Sequence, residues 1–97
     1  MEHARRYRPP SKLWTLLKAG DLRHMPVRVL AYCAENALVG PGDVLEYRGG
    51  NAKIADDLGL TLQTVVNAFR DLKREELVDS FKRGKAPAVR RLVEADS

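Results

Sequence analysis

Apolar residues recur at three- and four-residue spacing over four stretches of the chain, which predicts four helices. The first starts at Ser11, a suitable N-cap, carries Leu13, Trp14, Leu16 and Leu17, and is stopped by Gly20. The second begins near Pro26, whose fixed φ suits a first helical turn. Its inner face is Val27, Leu30, Ala31, Ala34 and Leu38, widened by Val29, Tyr32 and Cys33. Gly40-Pro41-Gly42-Asp43 then makes a turn. Asn51 caps a third helix over residues 52–58 with Ile54, Ala55 and Leu58 facing inward. Gly59 ends it, Leu60 is an apolar plug, and Thr61 caps the fourth helix, whose inner stripe is Val65, Ala68, Phe69 and Leu72. Strands are predicted at 44–48, broken by Gly49-Gly50, at 77–81, where apolar and polar residues alternate, and at 88–93. The last two flank a basic loop at 82–87.

Ninety-seven residues make one domain with a modest core, here 11–94, preceded by a basic arm at 1–10 and followed by a short tail at 95–97. The arm ends in Pro9-Pro10 and reads as a mobile segment or an extended lead-in. No apolar run approaches the ~20 residues that span a bilayer, so no membrane partner is expected. The first ten residues lack the apolar centre of a secretory signal, and one cysteine, Cys33, forms no internal disulfide. A cytoplasmic, nucleoid-associated protein is the expectation. The net charge of +4 is unevenly placed. Arg5, Arg6, Arg8, Lys12 and Lys18 lie near the start against Glu2 alone, and Lys82, Arg83, Lys85, Arg90 and Arg91 occur together with no acid among them. Clustered cations raise phosphate affinity because each contact releases condensed counterions.

The stretch Ile54-Ala55-Asp56-Asp57-Leu58-Gly59-Leu60-Thr61-Leu62-Gln63-Thr64-Val65-Val66-Asn67-Ala68-Phe69-Arg70-Asp71-Leu72 combines a small residue where two helices cross, a glycine turn and a capped second helix. With the hairpin that follows, it resembles the winged helix-turn-helix domains of bacterial transcription regulators and of the amino-terminal domains of plasmid and phage replication initiators, over residues 51–93. The fold this implies is mainly α with a small β-hairpin (α+β), four helices and a two- or three-stranded antiparallel sheet. Many such domains carry Gly before the strand where this chain has Glu76, which bears on the sharpness of the turn into 77–81 and not on topology.

The resemblance implies sequence-specific binding of double-stranded DNA, with helix 62–75 in the major groove and a basic wing at 82–91. It places Leu62, Gln63, Thr64 and Asn67 toward the groove, with Arg70 and Arg74 further along. Gln63 and Asn67 each offer the paired donor and acceptor that matches an adenine edge, and Leu62 suits a thymine methyl. Thr61, Thr64, Arg70, Arg74, Lys82, Arg83, Lys85 and Arg90 are the expected phosphate contacts. Arg90 and Arg91 are adjacent on a strand, so they point to opposite faces. Arg5, Arg6 and Arg8 either reach an adjacent groove or stay unengaged. A transcriptional regulator is the leading role and the DNA-binding module of a replication or partition protein the alternative. A winged helix serving as a protein-interaction module is the competing class. A homodimer is expected, its seam formed by Trp14 and Leu17 or by the second helix, within a larger regulatory or replication complex if one exists.

No enzymatic constellation is visible. His3 and His24 have no neighbours spaced for metal binding or base catalysis, and Asp56 and Asp57 project about 100° apart on a helix. Gly49-Gly50 lacks the lysine and spacing of a phosphate loop. Neither a cofactor nor a metal is therefore expected.

Overall fold

Helix ends fix this chain's path. The computed structural model describes residues 5–82 and 84–95. Helix α1 spans Ser11–Ala19 and ends at Gly20, whose φ of 77° lies in the left-handed region. There the Gly20 and Asp21 amides donate back to the Leu17 and Leu16 carbonyls. The cap at its start is Pro10, in extended conformation; Ser11 is already helical and its hydroxyl makes no capping bond.

Helix α2 covers His24–Glu35. Pro26 falls in the first turn, where its missing amide costs nothing. The helix does not run on to Leu38. Asn36 leaves the helical region, and its side-chain amide donates to the Tyr32 carbonyl at 2.9 Å. Leu38–Val39 instead form strand β1, paired antiparallel with β2, Leu45–Tyr47. Leu38 and Ala31, expected on the inner face of the helix, are both exposed.

Helix α3 runs Asn51–Leu58 with Gly50 at its cap, so Asn51 is the first helical residue rather than the capping one. Gly59, at φ 67°, ends it, and the Leu60 amide returns to the Ala55 carbonyl at 2.8 Å. Helix α4, Leu62–Arg74, starts on Thr61, whose hydroxyl accepts the Thr64 amide at 3.1 Å. Strands β3, Val78–Phe81, and β4, Val89–Leu92, follow, and a single 3-10 turn, Pro41–Asp43, joins β1 to β2. Among the described residues this is an α+β fold: four α-helices and a four-stranded antiparallel sheet in the order β1-β2-β4-β3. The strand beyond the expected two or three is β1, hidden in sequence by its helical spacing.

Register decides which side chains meet the helices. Ser80 and Tyr47 both lie opposite Arg90, and Val78 lies opposite Leu92. Directly opposed residues share a face, so Leu45, Tyr47, Val78, Ser80, Arg90 and Leu92 lie on the helix side. That face closes on Val29, Leu30 and Cys33 of α2, Ile54 of α3, and Val65, Ala68 and Leu72 of α4. Each fully buried aliphatic side chain contributes roughly 1.5–3 kcal/mol. The rings of Tyr32 and Tyr47 meet edge to face at 5.8 Å. Their hydroxyls tie α3 in place, Tyr32 donating to Asp57 at 2.5 Å and Tyr47 to the Gly50 carbonyl at 2.9 Å.

The opposite sheet face holds Glu46, fully buried, which accepts from Arg48 at 2.8 Å and lies 4.0 Å from Arg91. Gly40 makes room for it. A Cβ there would sit 2.5 Å from the Glu46 carboxyl carbon.

Residues 5–10 lie outside any helix or strand and contact the end of the fold. Arg5 grips both carboxylate oxygens of Glu94, at 2.6 and 2.7 Å, and donates to the Asp43 carbonyl. The Arg8 amide donates to Glu94 and the Ala95 amide to the Arg8 carbonyl, which staples the start of the fold to its end. The Arg5 guanidinium, with the Arg8 amide, holds the Glu94 carboxyl below its ordinary value.

Candidate nucleic-acid interface

Helix α4 has one buried side and one open side. At 100° per residue, Val65, Ala68, Phe69 and Leu72 form the buried stripe, and Gln63, Asn67, Arg70 and Arg74 lie diametrically opposite, all four exposed. The Gln63 side-chain amide donates to the Asn67 oxygen at 3.0 Å, so the two carboxamides are already aligned along the helix. Leu62, 55% exposed, and Val66, 40% exposed, lie on the flank of this stripe. At its far end Arg74 pairs with Asp71 at 3.2 Å and with Glu75 at 3.3 Å, which spends part of its charge locally.

Thr61 and Thr64 belong to the helix start rather than to the stripe. Thr61 caps the helix, and the two hydroxyls share a hydrogen bond of 2.8 Å. Lys82 and Lys85 are exposed in the β3–β4 connection. Arg83 lies outside the described residues.

Two arginines of the expected contact surface, Arg90 and Arg5, are engaged within the fold. Arg90 is only 8% exposed, and its guanidinium lies 4.0 Å from the centroid of the Phe69 ring. Its position opposite Ser80 and Tyr47 turns it toward the helices, whereas Arg91 turns away and stacks on Phe81 at 4.8 Å. Arg90 therefore faces α4 and not the outside of the hairpin. Burial lowers its pKa from the ordinary arginine value. Arg5 is likewise committed, to Glu94 and Asp43, while Arg6 and Arg8 remain exposed.

Lys73 and Ser80 escaped the sequence reading. Both line a notch of about 180 Å³ between α4 and the sheet, together with Arg70 and Arg90. The helical period does signal Lys73, which falls 40° from Phe69 on the flank of α4. Ser80 becomes visible only through its register with Arg90.

Among the described residues no cluster of His, Cys, Asp or Glu is arranged to hold a metal ion. No helix among them is long and apolar enough to cross a membrane. Searches against protein-family models, curated proteins and solved structures return no match.

Proposed function

We propose that this chain is a winged helix-turn-helix protein that binds double-stranded DNA in a sequence-dependent way. In this reading α4 enters the major groove and the β3–β4 hairpin is the wing. The observation that carries it is the open stripe of α4: Gln63, Asn67 and Arg70 stand exposed on a helix whose other side is anchored in the core. A major groove admits one helix, and paired carboxamides match the donor and acceptor of an adenine edge. Arg70, Lys82 and Lys85 supply phosphate contacts that fix position without reading sequence. Trp14, 53% exposed, and Leu17, three residues on, offer an apolar patch on α1 for a two-fold dimer, which would present two copies of α4 to a palindromic site. Regulation of transcription is the role that such a site-specific dimer serves.

Selection from a pool of random duplexes tests the proposal. The expected result is enrichment of one short motif containing adenine, repeated with two-fold symmetry. A pool that stays random after repeated rounds, while the folded protein captures a protein partner through Leu62 and Val66, would favour the interaction-module reading instead.

A further inference from the structure

The notch beside α4 has the make-up of an anion site. Arg70 and Lys73 approach it from the helix, and Arg90 and Ser80 from paired positions on β4 and β3. Among the described residues no carboxylate lines it. The nearest acids in sequence are turned elsewhere: Asp71 pairs with Arg74, and Asp79 lies on the opposite sheet face, across from Arg91. Phe69 and Val78 supply an apolar wall. Arg90 is the unusual member. It is more than nine-tenths buried, its Nε is enclosed without a hydrogen-bond acceptor among the described residues, and the Phe69 ring lies against its charge. Such a guanidinium keeps donors unmet in a low-dielectric site, and two further cations at the rim add repulsion. A tetrahedral oxyanion in the notch neutralises the cluster and accepts charge-assisted hydrogen bonds from it.

We infer that this notch binds one phosphate group, held by Arg70, Lys73 and Arg90 with the Ser80 hydroxyl as a fourth donor. The phosphate belongs either to the backbone of a duplex or to a free phosphorylated molecule. The chemistry of recognition is the same for both, so the inference extends beyond the DNA reading and does not require it.

Two titrations of the isotope-labelled full chain distinguish the sources: sodium pyrophosphate against sodium chloride at matched ionic strength, and a 20-base-pair duplex of arbitrary sequence. The readouts are the Ser80 amide and the Arg90 Nε–Hε signal. Lys73→Gln and Ser80→Ala replace exposed or half-buried positions, and Lys18→Gln on α1 controls for general charge loss. A saturable shift of both signals by pyrophosphate, weakened at least fivefold by Lys73→Gln and unchanged by Lys18→Gln, supports a site open to free phosphates. The same pattern with the duplex alone assigns the notch to a backbone phosphodiester. Failure of both ligands to move the Arg90 signal, or equal losses from Lys73→Gln and Lys18→Gln, would overturn the inference. A duplex selection that enriches nothing refutes sequence-dependent binding but leaves the pyrophosphate result standing, so the two failures are distinguishable.

Discussion

Replacing Glu76 with Gly should stabilise the protein, although it removes a side chain and adds backbone freedom. Three helices here end in the same turn, in which one residue adopts left-handed geometry and its own amide and the following one close on carbonyls of the last turn. Gly20 and Gly59 fill that position after α1 and α3. After α4 it is Glu76, at φ 59°. Its amide donates to the Lys73 carbonyl at 3.0 Å and the Leu77 amide to Leu72 at 2.8 Å, with both leucines fully buried. A residue with a Cβ pays roughly 1–2 kcal/mol for this conformation. Glycine avoids that strain but loses roughly 0.5–1 kcal/mol more backbone entropy on folding. Removing a negative charge beside a helix C-terminus adds about 0.3 kcal/mol. The contact of Glu76 with Lys12 at 3.9 Å is exposed and offsets little. The net expectation is a gain of about 1 kcal/mol, or a rise in Tm of about 5 °C for a domain of this size. Urea and thermal unfolding followed by circular dichroism measure it, with Glu76→Ala as the comparison that removes the charge and keeps the Cβ. Loss of stability in Glu76→Gly, or an equal gain in Glu76→Ala, would refute the backbone argument.

Other consequences follow from the buried polar groups. The folded state holds Glu94 below its ordinary value of 4.5, so it binds fewer protons there than the unfolded chain. The contribution of Glu94 is therefore complete above about pH 4.5 and is lost as pH falls through the folded value. Glu94→Gln should be less stable than the parent at pH 7, and the gap should close on acidification; a gap constant from pH 7 to pH 3 contradicts this. Burial pushes the Cys33 thiol up to about 12, against the pull of Arg90, so alkylation at pH 8 should run about a thousandfold or more slower in the native protein than in urea. Labelling at the rate of a free thiol would place Cys33 outside the core. Leu72→Ala should cost about 2–5 kcal/mol, because Leu72 is fully enclosed where α4 meets the core; a loss under 1 kcal/mol in urea unfolding would deny that enclosure.

The pair of helices at α3 and α4 was legible because two local signals agreed there. A clean apolar period met a glycine at the left-handed position and a threonine able to cap, and the structure uses Gly59 and Thr61 in those roles. The end of α2 was illegible for the opposite reason. Ala37 and Leu38 continue the helical spacing, and only pairing with β2 draws Leu38 into a strand. The orientation of Arg90 also lay beyond local reading. Val89-Arg90-Arg91-Leu92 has no alternation to say which arginine faces inward, and the register with Ser80 and Tyr47 decides it. Arg5 looked like part of a free basic arm because its partner, Glu94, is 89 residues away. What the sequence carried well was one helix with an anchored side and an open side. The notch on its flank needed three dimensions.

The open stripe of α4 is the centre of the account, and Asn67→Ala tests it most directly. Affinities of the parent and the variant would be measured for the selected duplex and for a scrambled one at the same salt concentration. The account predicts that the variant loses specific binding by roughly 1–3 kcal/mol, or about five- to 150-fold, with little change on the scrambled duplex. Equal affinities of parent and variant for the selected duplex would contradict it.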